Sequence, residues 1–124
     1  MPINIAINGF GRIGRSIVRS LYETNNYPHF NLVAINELAT PDGIAHLLKY
    51  DSTHGRFSCP VNLYDNGMTI NDDLITLTHH KKIEDLPWKA LKVDVVLDCT
   101  GIFGDLADGQ THLKQGAKKV LLSH

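Results

Sequence analysis

Cross-links are nearly missing from this chain: its 124 residues hold two cysteines, Cys59 and Cys99. Neither stands in a CxxC or zinc-type spacing, which argues against a disulfide framework and a cysteine-built metal site. Charge of one sign is missing too. A net charge of −1 removes the electrostatic case for a nucleic-acid partner or an anionic membrane surface. No apolar run approaches the roughly 20 residues of a membrane span. The start, MPINIAINGF, has neither a basic segment nor a long apolar core, so it does not read as a signal peptide. There is no HExxH, and the histidines at 29, 46, 54, 79, 80, 112 and 124 are scattered. Most of them read as solvated or locally bonded side chains, and no metal site is expected. Internal repeats and low-complexity segments are also absent. The remainder, 43% hydrophobic and 20% charged, is the composition of a soluble globular domain. The length suffices for one real core and is short for a two-domain enzyme.

What is present is organised around residues 3–15, INIAINGFGRIGR. Ile3, Ile5 and Ile7 alternate with Asn4, Ala6 and Asn8, a short strand signal. Glycines follow at 9, 11 and 14. Helix-spaced apolar residues Ile13, Ile17, Val18 and Leu21 begin at once, with Arg12, Arg15 and Arg19 assigned to another part of the helix surface. The spacing predicts a strand, a tight phosphate-sized turn and a helix N-terminus in one segment.

The rest supplies what that turn needs. FNLVAIN at 30–36 reads as a strand covered on both faces in a parallel sheet, with Glu37 at its end. Thr40-Pro41-Asp42 is a helix start: a hydroxyl cap, proline in the first turn and an acid beside it. Ile44, Ala45, Leu47 and Leu48 are that helix's expected buried face. Residues 51–56 form a polar turn. Three short strands are expected at 57–64, 68–71 and 74–78, with Asn66-Gly67 as a hairpin turn and a second turn at 71–73. They form a small antiparallel meander inserted into the α/β unit, its first strand placed at an edge by Pro60. Residues 83–91 predict a helical turn anchored by Trp88. A buried strand follows at 93–98, then a helix over roughly 104–115 resting on Leu106, Ala107 and Leu113, and a last strand at 119–123. This order predicts a Rossmann-type doubly wound parallel α/β sheet carrying the meander.

Gly9, Gly11 and Gly14 have G-x-G-x-x-G spacing. The first permits the turn, the second lets a pyrophosphate approach the backbone, and the third lets helix and strand pack closely. The N–H groups of the helix start would meet a negative ligand. Glu37 follows the third glycine at about the 20-residue interval of a ribose-binding acid. A carboxylate there accepts from ribose hydroxyls and repels a 2′-phosphate, favouring NAD over NADP. Asn36 either shares that role or shapes the turn. Thr100 and Gly101 lie at the carboxyl end of a strand, where open α/β sheets bind ligands. Cys99 reads as a buried structural thiol and not a nucleophile. The basic stretch His79-His80-Lys81-Lys82 is a solvated loop or the edge of an adenine or phosphate pocket.

INGFGRIGR at 7–15, VAINEL at 33–38, HLLKYDSTHGRF at 46–57, LPW at 86–88 and VDVVLDCTGIF at 93–103 together resemble the phosphorylating glyceraldehyde-3-phosphate dehydrogenases, along the whole chain. INELA at 35–39 puts a glutamate where the glyceraldehyde-phosphate enzymes usually carry aspartate. The resemblance implies NAD as cofactor, with Arg12 and Ile13 placing their backbone at the pyrophosphate and Glu37 as the ribose-binding acid. Lys81 takes a position, usually arginine, whose loop edges the adenine. Thr100 lines the pocket towards the nicotinamide, and Ser123 is a further cofactor-side position. It also implies a cytoplasmic homotetramer acting on a sugar phosphate through a cysteine thioester. The family's Ser-Cys-Thr nucleophile motif and histidine base are not among these residues; Cys99 and His124 do not match them. The expectation is therefore an NAD-binding portion spanning 1–124, with the last strand of the nucleotide fold and the catalytic domain outside it. No catalytic residue and no turnover of its own are expected. A reading of another class is a standalone nucleotide-binding or interaction module whose strand at 119–123 pairs with a further chain.

Overall fold

The computed structural model describes residues 2–23, 29–51, 55–57, 59–65, 67–100 and 106–122, with the backbone alone at 51, 55, 56 and 106. In chain order these form β1 (Ile3–Asn8), α1 (Arg12–Glu23), β2 (Phe30–Asn36) and α2 (Pro41–Lys49). A two-stranded ribbon follows, β3 (Tyr50–Asp51) with β4 (Gly55–Arg56). Next come β5 (Val61–Tyr64), β6 (Gly67–Ile70), β7 (Asp73–Thr78), a 3₁₀ turn at Ile83–Asp85, β8 (Val95–Asp98), α3 (Leu106–Lys114) and β9 (Lys119–Leu122).

The main sheet has seven strands in the order β5-β6-β7-β2-β1-β8-β9. β2, β1, β8 and β9 run parallel, and β7 joins β2 in parallel through Ala34↔Thr76 to Asn36↔Thr78. The β5-β6-β7 pairs are antiparallel. The predicted Rossmann-type α/β architecture is thus present, and the meander is one wing of the main sheet. β7 makes the joint because Ile75 and Leu77 alternate into the core that β2 already uses. β5 is an edge strand directly after Pro60, as a residue without an N–H requires. β5 and β6 close at Tyr64↔Gly67; Asn66 lies outside the described residues. The start expected for the last helix, at 104, lies outside them as well.

Each face of the sheet has its own core. Ile5, Ile7, Val18, Leu32, Ile35, Ile44 and Leu48 pack on the α1–α2 side. Ala6, Ala34, Leu86, Trp88, Val96 and Ala117 pack on the other. Side chains alternate across a strand, so Ile5 and Ala6 part company. β2 breaks strict alternation because its register to β1 slips after Ile5↔Leu32, where Ala6 pairs with Ala34. The extra residue, Val33, sends Leu32 and Ile35 to the same face.

Three sequence expectations need correction. Arg19 is buried, at 4% exposure, and not on the helix surface. Its guanidinium donates to the Leu48 carbonyl at 2.8 Å and lies 5.4 Å from the centre of the Phe57 ring. It serves the orphan carbonyls at the end of α2. Leu47 points to solvent, because the α2 face that meets the sheet is filled by Ile44, Ala45 and Leu48. On α3, Leu113 is exposed, and the side chain that enters the protein is His112. By contrast, Thr40 caps α2 as expected, accepting from Gly43 N–H at 3.1 Å. Trp88 is fully buried.

Candidate nucleotide-binding site

The chain runs from β1 outward to β2 and β7, then returns to place β8 and β9 on the other side of β1. The strand order therefore reverses between β1 and β8. The place beyond their carboxyl ends is where doubly wound sheets take ligands. A groove of about 590 Å³ occupies it. Its lining includes Asn8, Gly9 and Gly11 from the glycine turn and Glu37 and Leu38 from the end of β2. Lys81 and Lys82 come from the basic stretch, and Cys99 and Thr100 from the end of β8.

The glycines do three different jobs. Gly9 sits at φ +94°, and a Cβ there would lie 2.8 Å from the Thr100 backbone and side chain. Only glycine lets the β1 turn touch the end of β8. A Cβ on Gly14 would come within 2.6 Å of the Gly9 carbonyl, so this residue sets how closely α1 docks on its own turn. At Gly11 a Cβ would meet nothing within 4 Å. That position opens onto free space, as a ligand's close approach to the backbone demands. α1 starts here, with Arg15 N–H donating to the Gly11 carbonyl at 2.9 Å. The N–H groups of its first turn have no intrahelical acceptor.

Glu37 reaches back across the groove. Its carboxylate accepts from Phe10 N–H at 2.9 Å and from Ala39 N–H at 3.2 Å. The acid expected at the ribose is thereby tied to the glycine turn itself. Its neighbour Asn36 is buried and shapes the turn: it donates to the His80 carbonyl at 2.9 Å and accepts from His80 N–H at 2.9 Å and Thr78 Oγ1 at 2.7 Å. His79 Nδ1 lies 2.8 Å from the Glu37 carbonyl. These bonds hold the basic stretch against the end of β2, so Lys81 stands exposed at the groove's rim. Cys99 is half-buried and lines the groove, because β8 ends at Asp98 and the chain turns there. The sequence predicts a buried thiol at this position, and the structure leaves it half-buried instead.

Arg12 and Ile13 contribute the first turn of α1, while their side chains line a separate apolar groove with Ile5, Ile17, Val95 and Leu121. Gly101 and Ser123 lie outside the described residues. Two residues behind the groove wall escaped the sequence reading. Asp98 and His112 are fully buried, with His112 Nε2 2.8 Å from Asp98 Oδ2. Burial disfavours the Asp98 carboxylate. Hydrogen bonds from His112, from the Thr100 side chain and N–H, and from Asn8 outweigh it and hold Asp98 below the usual carboxylate range. The signal for His112 is faint: α3 carries few large apolar residues, so a polar one has to fill the gap beneath it. Among the described residues no group of three or more His, Cys, Asp or Glu is placed to hold a metal. No helix among them is long and apolar enough to cross a membrane.

A doubly wound sheet, a glycine turn leading into a helix and an acid after the second strand define a dinucleotide-binding domain. The model of one family, glyceraldehyde 3-phosphate dehydrogenase, NAD binding domain, matches residues 3–106. The chain belongs to that family, its cofactor is NAD, and the chemistry it serves is that of an NAD-dependent oxidoreductase.

Proposed function

We propose that this chain is the NAD-binding portion, over residues 1–124, of an aldehyde-phosphate dehydrogenase that oxidises D-erythrose 4-phosphate to 4-phosphoerythronate. That product would feed pyridoxal-phosphate biosynthesis. The observation that carries the binding half of the proposal is Glu37, which lines the groove and is tied to the Phe10 N–H of the glycine turn. A carboxylate held there takes the adenosine ribose hydroxyls and disfavours a 2′-phosphate. The first turn of α1, with Gly9, Gly11, Arg12, Ile13 and Gly14, takes the pyrophosphate on its backbone N–H groups. Lys81 edges the adenine. Thr100 lines the way to the nicotinamide, and by the family resemblance Ser123 is a further cofactor-side position, while Gly101 lets the chain pass close to the ligand.

NAD, when bound, supplies a hydride acceptor. This chain's residues bind and orient it. The aldehyde itself and the cysteine that forms the thioester belong to the catalytic portion of such an enzyme. In that reading the whole enzyme is a cytoplasmic homotetramer without nucleic-acid or membrane partners.

The support for a four-carbon substrate is the wording INELA at 35–39, with AHLLKYDSTHGRF and LPW. The matching family's description favours glyceraldehyde 3-phosphate as the alternative. NADH formation by the whole enzyme separates them. Faster turnover of erythrose 4-phosphate without inorganic phosphate supports the proposal. Phosphate-dependent turnover of glyceraldehyde 3-phosphate at a higher kcat/KM rejects it.

A further inference from the structure

Asp98 has no exposed surface and is not part of the groove lining, yet it is the hub of a buried polar chain. Such a carboxylate is unfavourable unless every oxygen is bonded. Oδ1 accepts from Thr100 N–H at 3.1 Å and from Thr100 Oγ1 at 2.7 Å. Oδ2 accepts from Asn8 Nδ2 at 3.2 Å and faces His112 Nε2 at 2.8 Å.

The direction of every bond in this chain is fixed from its two ends. At one end the Trp88 indole N–H, which can only donate, points at His112 Nδ1 at 3.0 Å. His112 therefore carries its proton on Nε2, facing Asp98. At the other end Asn36 bonds both the N–H and the carbonyl of His80, and that backbone admits one amide orientation. Asn36 Nδ2 must then donate to Asn8 Oδ1 at 2.8 Å, and Asn8 Nδ2 to Asp98. Both halves donate inward, towards Asp98. Only a group that accepts on all sides fits between them, and of the amino-acid side chains an ionised carboxylate does this.

We propose that Asp98 is a positioning residue of the groove. It acts through Thr100 and Asn8, and the Trp88–His112 pair fixes its carboxylate from behind. Thr100 is the residue against which Gly9 packs, so Asp98 sets the spacing between the glycine turn and the wall of β8. The inference rests on the reading of this groove as the NAD cleft.

The test uses the chain labelled with 15N, with the variants D98N, W88F and D94N. Asp94 lies before β8, away from the groove, and serves as control. In the unmodified protein the His112 ring should show a protonated Nε2 and a bare Nδ1. D98N should weaken NAD about tenfold, the equivalent of one charge-assisted hydrogen bond, when measured well below its own melting temperature. W88F should weaken NAD less and displace the Thr100 and Gly9 amide resonances. D94N should leave the affinity unchanged. A proton on His112 Nδ1 at neutral pH overturns the proposal. So does a D98N or W88F protein that melts earlier but keeps both its NAD affinity and its Thr100 resonance. If D98N fails to fold, W88F and the His112 tautomer decide. If the unmodified chain gives no response to NAD, the functional reading fails. The displacement of Thr100 in W88F still supports the positioning role, and its absence still rejects it.

Discussion

Two aspartates bracket β8 and meet opposite fates. Asp94 lies at the amino end of the strand. Its carboxylate accepts from Asn4 N–H at 2.9 Å and pairs with Lys118 at 3.2 Å, the lysine being 79% exposed. Those contacts, the Asn4 bond foremost, hold it below the usual carboxylate range. Asp98 lies at the carboxyl end, buried, and its partners are internal groups that lead to the ligand groove. Both join β8 to β1. At the amino end the sheet is closed by solvated contacts, where ion pairs contribute little. At the carboxyl end the strands stay paired through Asn8↔Asp98, and a buried polar network links their side chains next to the groove. The same residue type is a solvated tether just before the strand and the hub of a buried network at its other end.

The comparison can be broken most forcefully at Asp98. D98N leaves two donors facing a donor and should destabilise the fold by about 3 kcal/mol, read from the urea midpoint. The pH dependence has a definite sign. Because the folded Asp98 ionises at lower pH than the unfolded one, its contribution is complete above the ordinary carboxylate pKa of about 3.9. It is lost as pH falls from there through the folded value. The stability gap between the unmodified chain and D98N should therefore narrow below about pH 4 and stay constant above it.

Next in size is G9A, which forces a side chain into a left-handed backbone and against Thr100. A loss of about 2 kcal/mol is expected, together with loss of NAD binding. G11A sharpens the contrast. Its Cβ enters open space, so thermal unfolding should barely change while NAD binding weakens about tenfold, from obstruction at the pyrophosphate alone. The smallest effect belongs to D94N, whose unfolding midpoint should stay nearly in place, with any shift fading as salt is added.

The same contrast explains what the sequence made legible. The glycine turn, the capped start of α2 at Thr40, the edge position after Pro60 and the acid after β2 are local signals, each carried by a residue whose chemistry has few other uses. The fold class and most of the groove followed from them. Arg19, Leu47 and His112 did not, because their placement depends on partners far along the chain. Arg19 is drawn inward by the Leu48 carbonyl at the end of another helix. His112 is drawn under α3 by Asp98 on one side and Trp88 on the other. A polar residue buried for such a partner has the same local pattern as a solvated one. The joining of the meander to β2 is likewise a matter of long-range pairing, which the alternation of Ile75 and Leu77 permits but does not announce.

The central claim is that the groove beyond the carboxyl ends of β1 and β8 is the NAD site and that Glu37 guards it. Titration of the 15N-labelled chain with NAD and, separately, with NADP tests it most directly. NAD should displace the amide resonances of Gly9, Phe10, Gly11, Glu37 and Thr100 together, and NADP at equal concentration should displace them far less. Silence at these residues with millimolar NAD, or equal displacement by the two nucleotides, would contradict it.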